Sequence, residues 1–96
     1  MIIVHAFVEV KDGAAQEFIA AAAPCVAATR QEAGNNFYTL YTESAHPLKF
    51  VVVEEWETQG HLDAHMQTAH FAAFGAAIED LLAAPLDIKV FEAKTV

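Results

Sequence analysis

The residues able to do chemistry crowd into one stretch, FVVVEEWETQGHLDAHMQTAHF, between Phe50 and Phe71. It holds a carboxylate at Glu54, an indole at Trp56 and imidazoles at His61, His65 and His70. Its first half alternates as a strand does, so Phe50, Val52, Glu54 and Trp56 share one face. On a buried face Glu54 is a carboxylate in apolar surroundings, where desolvation raises the pKa and suits the group to give or take a proton. The structural alternative is an acid near the strand end that bonds a backbone amide or a histidine. The second half has helical spacing, each residue advancing about 100°. With Leu62 at the centre of the buried side, His65 lies about 60° away, while His61 and His70 fall at the flanks. His65 is therefore the imidazole placed to see both core and cavity, and a core histidine satisfied by one hydrogen bond is its plain alternative.

His61 and His65 stand at i and i+4, a spacing that can turn two imidazoles toward one metal. Zinc sites require a third ligand, and the HExxH pattern needs a glutamate where this chain has Leu62, so no metal is expected. Cys25 reads as core, on the buried stripe of an alanine-rich helix with no basic neighbour. No glycine-rich loop opens a helix after a strand, which speaks against nucleotide and flavin phosphates and leaves no expected cofactor. What remains is a small apolar pocket walled by Trp56, Phe50, Phe18, Phe71 and Phe74, a site for flat hydrophobic molecules.

The elements that must position these groups follow from period and punctuation. Ile2 to Val10 reads as a first strand, apolar on both faces and closed by the turn signal Lys11-Asp12-Gly13. Ala14 to Glu32 reads as a helix with Phe18, Ala21, Ala22, Cys25 and Thr29 on its buried side; Pro24 should kink it, at about 3 kcal/mol in an ordinary helix interior. Gly34-Asn35 ends that helix. Asn36 to Glu43 and Leu48 to Glu57 form a hairpin around a loop of Ser44-Ala45-His46-Pro47. Thr58 caps a helix through about Gln67, a second helical segment runs from about Phe71 to Ala83, Ala84-Pro85 breaks it, and Leu86 to about Ala93 is the last strand. The order β-α-β-β-α-β is the ferredoxin-like, α+β arrangement: an antiparallel four-stranded sheet with the helices on one face.

Ninety-six residues read as one domain, 1–96, and a hydrophobic content of 55% is high for that size. If Trp56 faces the helices, Ile3, Phe7, Val51 and Val53 fall on the uncovered face of the sheet, which implies a homodimer closed face to face. Five Lys plus Arg against thirteen Asp plus Glu, with no basic cluster, make nucleic acid and anionic membranes poor partners. The first residues lack a secretory pattern, a single cysteine offers no internal disulfide, and no apolar stretch suffices to span a bilayer; the expected location is the cytoplasm.

Taken together, the EAGN turn at Glu32 to Asn35, the triplet Glu54-Glu55-Trp56 and the run EWETQGHLDAHMQTAH from Glu55 to His70 resemble the antibiotic biosynthesis monooxygenase (ABM) domain family, most closely its quinol monooxygenase branch. The resemblance spans essentially the whole chain. It implies a dimeric α+β barrel that oxygenates a small aromatic quinol, phenol or anthrone with O₂, without metal, flavin or haem. In that scheme His65 or Glu54 takes the proton and Trp56 stacks on the substrate. Phe18, Phe50, Phe71 and Phe74 line the ring site with Val52, and Tyr38 or His70 bonds an oxygen.

Some positions depart from family patterns. Val52 stands where polyketide-acting relatives have an asparagine four residues before the tryptophan. Ala6 and Met66 stand where haem-degrading relatives have an asparagine and an axial histidine. Phe37 replaces an arginine often found in relatives that isomerise a phosphorylated sugar. The alternatives to the monooxygenase are an isomerase of the same fold and a non-catalytic dimer that binds a small molecule.

Overall fold

The computed structural model describes residues 1–96. Strands β1 (Ile2–Glu9), β2 (Asn35–Glu43), β3 (His46–Trp56) and β4 (Asp87–Glu92) form one antiparallel sheet in the order β2-β3-β1-β4. Helices α1 (Ala15–Thr29), α2 (Gln59–His65) and α3 (Ala69–Ile78) lie between the strands in sequence, with a 3₁₀ turn at Glu79–Leu81 after α3. This is the ferredoxin-like order read from the sequence, with its second helix divided in two.

The alternation of β1 and β3 fixes which face is covered. Ile2, Val4 and Val8 of β1 and Phe50, Val52, Glu54 and Trp56 of β3 are all buried. Register pairs Val4 with Glu54 and Ile2 with Trp56, so the two sets lie side by side under the helices. Helix α1 answers with Phe18, Ala22, Cys25 and Thr29, spaced by four, three and four residues as one helical stripe requires. Pro24 sits inside α1 without ending it. After the helix, Gly34 adopts φ +78°, a left-handed conformation that a Cβ would strain, and the ring of His61 packs where that Cβ would project.

Several features differ from the sequence reading. The hairpin turn is only Ser44-Ala45, because His46 already pairs with Glu43, with a register irregularity between Thr42 and Glu43. The helical stretch after Trp56 breaks at Met66 to Thr68 because two threonines cap successive helices. Thr58 accepts from the His61 N–H and Thr68 from the Phe71 N–H, each at 3.2 Å. Finally, β4 is thinly covered: Ile88 and Val90 pair with Ala6 and Val4 on the helix side yet remain about half exposed, at 52% and 49%.

Candidate functional site

Two apolar clusters divide the layer between sheet and helices. One gathers Val8, Val10, Phe18, Phe50 and Ile78; the other gathers Ile2, Val4, Cys25, Tyr38, Val52, Trp56 and Leu62. The second cluster alone includes ionisable groups buried among its members, and a cavity of about 190 Å³ opens beside it. The floor of that cavity is Val4, Ala6, Val8 and Val52, its roof is Leu62, Phe71, Phe74 and Gly75, and its mouth lies at Leu86, Ile88 and Val90 of the thinly covered edge. The polar residues on its wall are Tyr38, Glu54, Gln59 and His65.

Glu54 is held by its neighbour on the same strand face: the Trp56 indole N–H donates to Glu54 Oε1 at 3.0 Å. Burial pushes the Glu54 carboxyl up to about 7; the indole hydrogen bond works against that rise and the charge of Glu32 adds to it. Tyr38 pairs with Glu54 across β2 and β3. Burial first, then the charges of Glu54, Cys25 and Glu32, hold its phenol well above the usual range, so it stays a hydroxyl. Its oxygen lies 3.8 Å from Cys25 Sγ.

His65 is 1% exposed. Its ring centroid lies 4.9 Å from that of Trp56 at 39°, and 5.1 Å from Phe71, edge on at 70°. Nδ1 lies 2.6 Å from Glu32 Oε2, and the same oxygen lies 2.8 Å from His70 Nε2. Across the ring, Nε2 of His65 is buried and has no hydrogen-bond partner. Folded proteins pair nearly all buried polar atoms, and an exception calls for a reason.

The family model described as "Antibiotic biosynthesis monooxygenase" matches residues 1–77. The chain belongs to this family. Over 92% of its length it is 36% identical to the Bacillus subtilis (strain 168) protein named "Putative monooxygenase YcnE", covering 93% of that protein. Over 37 residues, 38% of this chain and 36% of the relative, it is 40% identical to "Probable quinol monooxygenase YgiN" of Escherichia coli K12. A solved conserved protein from Methanosarcina mazei Go1 superposes with a TM-score of 0.93 at 29% identity, over 97% of this chain and 92% of that one.

Within this ABM domain, the structure brings together some of the site residues named from sequence and separates others. Tyr38, Val52, Glu54, His65, Phe71 and Phe74 all line the cavity. Trp56 does not: it is 0% exposed and backs the wall, holding Glu54 by hydrogen bond and His65 by ring contact. Phe18 and Phe50 also move out of the site. Their centroids sit 4.7 Å apart in the other cluster, because Phe18 lies near the start of α1, about two turns before Cys25, and Phe50 lies six residues before Trp56 on β3. His70 lies off the wall and binds Glu32 instead. Two contributions escaped the sequence reading. Glu32 looked like part of a turn, and no local pattern could tie it to His65 across 33 residues. The inward face of β4 looked like ordinary core alternation.

Proposed function

We propose that this ABM protein is a cofactor-independent monooxygenase that oxidises a small aromatic quinol or phenol with O₂. The observation that carries this reading is His65, which lines an apolar cavity and buries an Nε2 that has no hydrogen-bond partner. A lone pair so placed can accept the hydroxyl proton of a bound ring. A Glu54 carboxyl poised near neutrality supplies the complementary donor. The volume favours one ring, since an apolar cavity of about 150 Å³ already holds benzene.

The reaction needs little beyond this cage. Once deprotonated, the electron-rich ring passes one electron to O₂, and the two radicals join at a ring carbon as a peroxide, which takes back the proton held by the base to become a hydroperoxide. Loss of the proton on that carbon, with departure of the distal oxygen as hydroxide, leaves a carbonyl; hydroxide and proton leave as water. One atom of O₂ enters the product, the other becomes water, and the quinol supplies the four electrons. The protein contributes orientation, a dry wall and a base.

A homodimer belongs to the same reading. Phe7, Phe91 and Tyr41, on the sheet face away from the helices, are 41%, 44% and 47% exposed. A second copy laid face to face would cover them as a barrel. Gel filtration at micromolar concentration tests this, and a species of one chain's mass alone would refute it. We place the protein, read as one domain over 1–96, in the cytoplasm; no helix is long and apolar enough to cross a membrane.

The deciding experiment is O₂ uptake by metal-stripped protein with hydroquinones and anthrones, with and without chelator, beside His65→Ala. Uptake that survives chelator and falls in the variant supports the monooxygenase. Uptake no faster than in buffer rejects it and leaves the binding dimer and the isomerase as the readings.

A further inference from the structure

His65, Glu32 and His70 come from three separate elements, yet a nitrogen of each histidine meets the same Glu32 oxygen. His65 ends α2, Glu32 lies in the turn after α1, and His70 opens α3. Side-chain exposure rises along the series, from 2% at His65 to 13% at Glu32 and 25% at His70. Two arrangements fit such a cluster: a divalent metal held by two imidazoles and a carboxylate, or a carboxylate accepting two N–H bonds.

The geometry distinguishes them. Ligands about 2.0–2.1 Å from one tetrahedral metal sit about 3.3 Å apart. The separations of 2.6 and 2.8 Å are instead those of charge-assisted hydrogen bonds. The far side of His65 gives the same answer. With a metal on Nδ1, Nε2 would carry the ring's proton, and metal-bound imidazoles give that proton to an acceptor. Nε2 of His65 has none. With the proton on Nδ1 and donated to Glu32, Nε2 is a lone pair, and no buried N–H is orphaned.

We propose that Glu32 is a positioning residue for the site: its carboxylate keeps the proton of His65 on Nδ1, leaving Nε2 as the acceptor, and His70 anchors Glu32 from the outer side. Glu32 touches no substrate. It selects the tautomer, orients the ring and balances the imidazolium that forms when Nε2 takes a proton, as an orienting carboxylate does for any histidine base. Its kinetic consequence rests on the proposed monooxygenase reading, whereas the tautomer does not.

Two measurements separate those claims. Two-bond ¹H–¹⁵N spectra of the histidine rings report the His65 tautomer directly. The Nδ1–H form is expected in the unmodified protein, and the Nε2–H form there would overturn the proposal even if O₂ uptake is normal. Steady-state O₂ uptake with a one-ring hydroquinone then compares Glu32→Ala and Glu32→Gln. In Glu32→Ala, kcat is expected to fall about 100-fold with KM changed by less than about threefold, and added formate to restore part of kcat. Glu32→Gln keeps the side-chain volume and should raise the Nε2–H fraction of His65 with a matching loss of kcat. Unchanged kcat in both variants would overturn the proposal. So would activity in the unmodified protein that chelator removes and added divalent metal restores, which would assign the cluster to an ion. Absence of uptake in the unmodified protein would reject the monooxygenase instead, and the spectra would still decide the tautomer.

Discussion

The two clusters beneath the helices share β1, β3 and α1, yet they differ in what they bury. Around Phe18 and Phe50 every buried side chain is apolar. Around Trp56 the sheet buries Glu54, Tyr38 and His65 together with Cys25 and Thr29, and leaves a cavity beside them. Filling that space with hydrocarbon would be the cheaper way to stabilise a small domain, since a buried polar group adds stability only when well paired. One end of the sheet is thus arranged for packing, the other for holding polar atoms in a dry place.

The sharpest way to break this contrast is one substitution in each cluster. Phe50→Ala should lower unfolding free energy by about 3–5 kcal/mol. It should leave kcat per folded molecule within about threefold of the original, because Phe50 lies outside the cavity. His65→Ala should lower kcat by about 100-fold or more; losing a buried ring and its bond to Glu32 also costs stability, so activity is again read per folded molecule. Urea titration with O₂ uptake on the same preparations checks both. Equal losses of activity in the two variants would erase the distinction.

Much of the contrast was legible in the chain. Period-2 alternation placed Phe50, Val52, Glu54 and Trp56 on one face, and 100° steps placed His65 inward, because both follow from local backbone geometry. The assignment of aromatics to the site was coarser. Alternation tells which face a residue occupies but not its position along the strand relative to a crossing helix. Phe18 and Phe50 therefore looked like neighbours of Trp56 when the start of α1 and the middle of β3 place them in the other cluster. Glu32 was hidden for a related reason: its partners lie 33 and 38 residues away, and only the closed fold brings them within 3 Å. The split between α2 and α3 was legible as two helical segments, but the second starts two residues earlier than expected because Thr68 caps it as Thr58 caps the first.

Glu54 sharpens the comparison through pH. Its carboxyl stands at about 7 in the folded protein against 4.5 ordinarily. At low pH both states hold the proton. As pH rises from about 4.5 to about 7 the unfolded chain releases it first, so stability falls across that window and levels off above it. A difference of that size corresponds to on the order of 3 kcal/mol. Glu54→Gln should flatten the fall, making the variant's stability at pH 8 close to its value at pH 5, as urea midpoints at the two pH values would register. A variant as pH-sensitive as the parent would show that another group drives the loss. No such window is expected from the Phe50 cluster, which contains no ionisable member.

The smallest effect should come from the roof of the cavity, where the two demands oppose each other within one residue. Gly75 lies inside α3, and a glycine in a helix interior costs up to about 1 kcal/mol relative to alanine. A Cβ there would meet nothing within 4 Å, so no packing reason excludes alanine. Gly75→Ala should therefore raise unfolding free energy by about 0.5–1 kcal/mol. Because Gly75 lines the cavity, the added methyl should also narrow its roof. KM for a one-ring hydroquinone should stay within about twofold, while a fused-ring anthrone should bind less well, since a pocket contact of one methyl is worth about 1–3 kcal/mol. A stabilised variant with both substrates unaffected would mean that bulky rings leave through the open edge at Ile88 and Val90 rather than pressing on α3. The thinly covered β4 strand would then set the size limit of the site.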